Sequence, residues 1–271
     1  MWVFQVMRPV VAAVLALGLA AASGCAKSDR AEITSSGVKL VRSGTLTVCT
    51  HLPFEPFQYR DDTGRVIGFD IELIDLVAQK LGVTQSVVDT PFEGIKSGQD
   101  LNSGKCDVAA AGMTITADRQ QAVDFSTPYF DADQALLVRA DAVYTSLADL
   151  RGKKLGTQAA TTGEDYGKQH AEANGYTTVS FRDLAALQQA LATKQVDAAI
   201  DDVPVVAAYV RHNPGSFEVS AQFETGERYG YAVRKNRNPV LLATINQVIE
   251  QARQDGTYDR IYAKWIGGPR R

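Results

Sequence analysis

Two groups of side chains in this chain could do chemistry. The first is Gly112-Met113-Thr114-Ile115-Thr116-Ala117-Asp118-Arg119. Gly112 lets backbone polar groups approach a ligand closely. Thr114 and Thr116 supply hydroxyls, and Arg119 supplies a planar fork that matches a carboxylate. The second group is Asp201-Asp202-Val203-Pro204. Two adjacent carboxylates repel one another unless a cation is near. One group offers a cation to an anion and the other offers anions to a cation. A small molecule that needs both is a zwitterion such as a free α-amino acid. Read singly, Thr-x-Thr and Asp-Asp also serve as helix caps, and a lone Arg in a loop is usually solvated.

The elements around these groups place them alike. TLTVCT (45–50) reads as a strand. FDIELIDLVAQKLG carries apolar residues at 71, 74, 77, 78 and 81, the spacing of a helix, with Asp70 expected to cap it and Gly82 to end it. TQSVV is expected as a strand, 93–102 as helical and Cys106–Ala111 as a buried strand. The pattern resumes with strand KKLGTQ, helix Gly163–Asn174, strand TTVSF, helix Leu184–Thr193, strand VDAAID and helix Val203–His212. Alternating strands and helices indicate an α/β class with parallel-type sheets. Phe92…Ile95…Leu101…Lys105-Cys106-Asp107-Val108-Ala109-Ala110 is echoed by Phe181…Leu184…Leu191…Lys194-Gln195-Val196-Asp197-Ala198-Ala199. Such an echo indicates two similar lobes. Ligands of open α/β sheets sit beyond the carboxyl ends of strands. Each chemically equipped group directly follows an echoed strand, so two facing lobes would present both across one cleft. Phe54, Phe57, Tyr59 and Phe92 also fall near strand ends, where they pack a core or sandwich a ligand. Gln158-Ala159-Ala160-Thr161-Thr162-Gly163 joins a strand to a helix start, where exposed N–H groups favour an anion.

Composition narrows the field. The 271 residues are 45% hydrophobic and 22% charged, as in ordinary globular proteins. A net charge of −3 is too balanced for phosphate neutralisation on nucleic acid. Three Cys and three His leave little for a metal cluster. No G-x-x-x-x-G-K-[ST], G-x-S-x-G or H-E-x-x-H occurs, so neither a cofactor nor a hydrolase centre is expected. At the N-terminus, Val10–Ala22 is an unbroken apolar run, too short to span a membrane and suited to a secretory signal. Ala22-Ser23-Gly24-Cys25 resembles a bacterial lipobox, which makes residues 1–24 a signal peptide and Cys25 a lipidated residue. Residues 25–42 read as a polar tether. In an oxidising compartment Cys49 and Cys106 could form a disulfide between neighbouring strands, or remain buried thiols.

The stretches VCTHLPFEPFQYRDDTGRVIGFDIELIDLVAQKLG, FEGIKSGQDLNSGKCDVAAAGMTITADRQQAVDFSTPYF and VDAAIDDVP resemble the bacterial extracellular solute-binding proteins, family 3. The resemblance runs from about Thr45 to Trp265. It implies two α/β lobes joined by two crossovers and closing on a ligand. Lobe 1 would be 43–137 with 230–271, and lobe 2 would be 138–229. The crossovers would lie near Ala135–Arg139 and Arg228–Val233. It also implies that Arg119, with Gly112 and Thr114, grips an α-carboxylate and that a backbone donor lies near Thr162. Asp202 would accept the α-ammonium, Phe54 and Phe92 would sandwich the carbon chain, and His51, Gln158 and Asp201 would select the side chain. A carboxylate common in relatives at the position of His51 is absent, and Asp201 could replace it.

The expected function is extracytoplasmic capture of a free polar or basic amino acid (Arg, Lys, His or Gln) for an ABC permease, by a non-enzyme anchored to the membrane through lipid. One alternative is a dehydratase on the same fold, with Glu164 or Asp201 as the general acid. Another is a sensor that reports its ligand to a membrane receptor.

Overall fold

A computed structural model describes residues 1–2 and 32–267. The expected signal peptide lies outside the described residues apart from Met1 and Trp2, and Cys25 lies outside them too. Among the described residues, no helix is long and apolar enough to cross a membrane.

Two five-stranded sheets make two lobes. The first has the order Thr84–Asp89, Thr45–Thr50, Val108–Ala109, Ala232–Arg234, Val123–Phe125. The second has the order Thr177–Phe181, Lys154–Gln158, Ala198–Asp202, Gln134–Arg139, Phe217–Phe223. In each, the first three strands are parallel and the last two pair antiparallel to their neighbours. The sheets are therefore mixed, because a strand that arrives by crossing between lobes enters from the opposite end.

The sequence echo has a structural counterpart. The Asp107 N–H donates to Thr47 O at 2.9 Å, while its carboxylate accepts the Thr47 N–H at 2.8 Å. Asp197 treats Lys154 alike, donating to its carbonyl and accepting its N–H, both at 2.9 Å. Each Asp clamps the echoed strand to its parallel neighbour, so each lobe starts its central ladder with the same device. Burial, offset in part by hydrogen bonds from Thr47 and Val41, raises the Asp107 pKa to about 6. Cys49 and Cys106 are joined in a disulfide with their Cα atoms 5.6 Å apart, which ties the strand Thr45–Thr50 to the start of the echoed segment.

Local expectations mostly match. Helix Phe69–Leu81 ends at Gly82, whose φ of 69° is the left-handed cap a glycine adopts easily. Its apolar face packs into the first lobe's core beside Pro239–Gln254 and Thr257–Trp265. Its N-cap is Gly68 rather than Asp70. Asp70 is buried and serves the site instead. The segment 93–102 is two short helices, Phe92–Lys96 and Gln99–Asn102, divided at Gly98, whose φ is 73°. Only Val108–Ala109 of Cys106–Ala111 pairs as strand, though the whole stretch is buried.

Two expected boundaries move. The end of the expected tether is part of the folded body: Val38 and Leu40 are buried in the first lobe's core, and the Val41 N–H donates to Asp107. Among the described residues of the stretch, Val38 and Leu40 are the apolar side chains that reach the core. The division at 137/138 falls inside the strand Gln134–Arg139, all of which belongs to the second sheet. The crossing itself lies just before it, where Phe130–Asp131 pairs antiparallel with Arg228–Tyr229.

Candidate functional site

The carboxyl ends of the central strands face one another across a cavity between the lobes. Counted out to the open solvent at its mouth, its empty space is about 330 Å3. Nine of the ten expected ligand positions line it: His51, Phe54, Phe92, Gly112, Thr114 and Arg119 from the first lobe, Gln158, Thr162 and Asp202 from the second. Asp201 does not. Side chains alternate along a strand, so when Asp202 faces the cavity its neighbour turns away. Asp201 accepts the Asp202 N–H at 2.8 Å instead. Gln58, Ala111 and Thr161 also line the cavity and were not anticipated. Gln58 sits between core aromatics in sequence, and no local pattern separates it from them.

Arg119 enters from helix Ala117–Ala122, which Thr116 caps by accepting the Arg119 N–H at 3.2 Å. The two threonines thus divide their work: Thr116 starts the helix and Thr114 faces the cavity. The guanidinium is buried, 5.4 Å from the centre of the Phe92 ring. Nη1 donates to Thr114 O at 2.8 Å and Nη2 to Ala160 O at 3.2 Å, the latter across the cleft. Five N–H donors in a rigid fork leave others for an anion. Burial lowers the Arg119 pKa, and the charges of Asp202 and Glu227 oppose that shift; a guanidinium stays charged regardless.

Ala160 is held in the left-handed region at φ 68°. Its N–H donates to Glu164 Oε2 at 2.8 Å while its carbonyl accepts from Arg119. A non-glycine residue held there at both polar ends marks a built site. Burial works against the ionised Glu164, yet hydrogen bonds from Ser180, Lys168 and the Ala160 N–H outweigh it and hold its pKa below the ordinary value.

Gly112 follows the first echoed strand with φ 54°, and a Cβ there would stand 2.6 Å from Phe54 Cε1. Only glycine lets the Phe54 ring lie against this backbone. Its N–H, expected to meet a ligand, is instead taken by Asp70 Oδ2 at 2.9 Å. Asp70 Oδ1 accepts from Tyr129 Oη at 2.6 Å. Burial raises the Asp70 pKa to about 7, against hydrogen bonds from Tyr129, Gly112 and Tyr231.

On the opposite wall, Asp202 is the N-cap of helix Val203–His212 by position, yet its side chain makes no capping bond. Its carboxylate accepts from Gln134 Nε2 and from Tyr229 Oη and faces the cavity. Burial, then the nearby carboxylates of Asp201 and Glu227, push its pKa well up. A cation placed here would relieve that cost.

Several buried polar atoms around the cavity lack a hydrogen-bond partner among the described residues: His51 Nε2, both amide ends of Gln58, and Gln158 Oε1. His51 Nδ1 lies 3.0 Å from Thr90 O. A carbonyl only accepts, so Nδ1 carries the proton and Nε2 is left as an acceptor. Each orphaned group costs about 1–3 kcal/mol until it is satisfied.

Comparison with known proteins agrees with this geometry. The family model of the bacterial extracellular solute-binding proteins, family 3, matches residues 46–268. The chain belongs to that family. A probable histidine-binding protein of Neisseria gonorrhoeae is 32% identical over 267 residues, covering 96% of each chain. An ancestral arginine-binding protein, solved bound to arginine and also to glutamine, superposes with a TM-score of 0.78 at 43% identity, covering 83% of this chain and 99% of that one. An ancestral amino-acid-binding protein, described as a precursor of cyclohexadienyl dehydratase, is 36% identical with a TM-score of 0.74, covering 82% of this chain and 95% of that one. The relatives of this family 3 member are thus named for binding amino acids.

Proposed function

We propose that this protein captures a free polar or basic L-amino acid outside the cytoplasm and hands it to an ABC permease. One observation carries the reading: Arg119 and Asp202, from opposite lobes, line the same cavity. A guanidinium suits an α-carboxylate and a carboxylate suits an α-ammonium. Phe54 and Phe92 would flank the aliphatic part. His51 Nε2 and Gln158 Oε1 are acceptors, so they favour a side chain that donates, as arginine, lysine, histidine and glutamine do. Glutamate would bring acceptors to acceptors. Thr162, at the start of helix Thr162–Asn174, adds its end of the helix dipole for an anion.

Binding at both walls stabilises the closed arrangement more than the open one, and that difference is what shifts the population. The motion would be a hinge about the crossovers, with lobe 1 as 38–133 plus 230–267 and lobe 2 as 134–229. Residues 1–24 would direct export and Cys25 would carry the lipid, which mass spectrometry of membrane-extracted protein tests directly.

The dehydratase reading receives less support. A general acid needs a raised pKa and access to substrate. Of the two acids that reading names, Glu164 has a lowered pKa and is paired with Lys168 at 2.9 Å, while the raised Asp201 does not line the cavity; Asp202 has both the raised pKa and the access, and the amino-acid reading assigns it to the ammonium.

A thermal-shift screen of the twenty amino acids tests the proposal. A ligand that binds only the folded state raises Tm by mass action. Arginine, lysine, histidine or glutamine should give the largest rise and be recovered unchanged. No rise with any amino acid refutes the reading.

A further inference from the structure

Glu227 lies on the return crossover, next to Arg228–Tyr229, and no motif in the sequence points to it. Its carboxylate gathers donors from both lobes. Oε2 accepts from Thr162 Oγ1 at 2.7 Å, from Gln134 Nε2 at 3.0 Å and from Thr114 Oγ1 at 3.3 Å. Thr114 belongs to the first lobe, and Thr162 and Gln134 belong to the second.

Counting protons shows what this does to the cleft. An ionised carboxylate only accepts, and a threonine hydroxyl has one proton and two lone pairs. The Thr162 proton is committed to Glu227. The Thr114 proton goes to Glu227 or to Thr162 Oγ1, 3.4 Å away. In either case it is engaged within the protein and not free for a guest in the cavity that both threonines line. What remains for a guest is lone pairs. Gln134 is turned as well: its single amide nitrogen serves both Glu227 and Asp202, which fixes it between the two carboxylates. The charge of Glu227 acts on Asp202 and on Arg119 across the cleft.

We propose that Glu227 is a positioning residue that makes the Thr114–Asp202 end of the cleft an acceptor-only seat for a primary ammonium group. It does so by engaging both threonine protons and by adding negative charge beside Asp202. This rests on the amino-acid reading above and names the chemistry of one end of that site. A guest with a hydroxyl or hydrogen in place of the ammonium gains little there, because it cannot donate to several acceptors at once.

Titration calorimetry tests it with pairs that differ only in the α-amino group: L-arginine against δ-guanidinovalerate, and L-histidine against imidazolepropionate. The proteins are wild type, Glu227→Gln, Thr114→Val and the double variant. Glu227→Gln should weaken the amino acid at least about tenfold, the scale of one charge-assisted hydrogen bond, and change the des-amino partner by less than about twofold. The losses from Glu227→Gln and Thr114→Val should be less than additive, because one acts through the other. An unchanged affinity for the amino acid overturns the proposal. Equal weakening of both members of a pair also overturns it, since a merely structural role would do that. Wild-type protein that binds none of the twenty amino acids overturns the capture reading, and this inference with it.

Discussion

Arg119 shows how much one side chain is asked to do. It is buried, stacked near Phe92 and held by carbonyls of both lobes. Those two bonds fix the fork, and on the proposed reading they would save ordering entropy when a carboxylate binds. One charge-assisted bond contributes about 1.5–3 kcal/mol. Arg119→Ala should therefore weaken amino-acid binding at least tenfold to a hundredfold by calorimetry; a change within twofold removes Arg119 from the site. Asp70 works one step behind, holding Gly112 and Tyr129. Its pKa is raised from 3.8 to about 7, so the folded state binds its proton more tightly than the unfolded chain does. The stability this contributes is fully present below the unfolded value and is lost as pH rises through about 7. Asp70→Asn should lessen the fall of Tm between roughly pH 4 and pH 7, leaving the slope of the same sign that Asp107, Asp201 and Asp202 contribute. An unaltered Tm–pH profile would show that Asp70 is not the titrating group.

At the scale of elements, the turn after each echoed strand decides what faces the cleft. In the first lobe that turn needs glycine, because φ is 54° and the Phe54 ring fills the space of a Cβ. Gly112→Ala should cost about 1–3 kcal/mol from the backbone alone. It should also push Phe54 out of the cavity wall, lowering both Tm and ligand affinity in the same preparation. In the second lobe the strand Ala198–Asp202 runs straight into helix Val203–His212. Pro204 starts that helix without a side-chain cap, which frees Asp202. The two turns differ in chemistry, yet Asp107 and Asp197 clamp the strands before them to their parallel neighbours in the same way.

The whole molecule is two sheets of one strand order, joined where Phe130–Asp131 meets Arg228–Tyr229. Only the first lobe carries a disulfide, which closes a sequence separation of 57 residues. Loops of that order are stabilised by about 2–4 kcal/mol when cross-linked. The Cys49→Ala, Cys106→Ala double variant should therefore melt several degrees lower in a reversible scan. Its ligand affinity should stay close to wild type, because neither sulfur lines the cavity. A large loss of affinity at temperatures well below the melt would show that the bridge shapes the cleft and does more than stabilise the lobe.

The fold was legible in the sequence because it rests on short-range physics. Apolar spacing marks Phe69–Leu81, the Asp-led echo marks two equivalent lobes, and polar residues after those strands mark the cleft. That much points to the stretches Gly112–Arg119 and Asp201–Pro204. What needed the tertiary structure depends on partners distant in the chain. Asp70 reads as a cap until Gly112 and Tyr129 are seen to claim it. Gln58 and Glu227 carry no local signal, since their roles come from what the crossovers and the other lobe bring beside them. Asp201 and Asp202 are equivalent as a dipeptide, and only the pleat of the folded strand decides which of the two faces the guest.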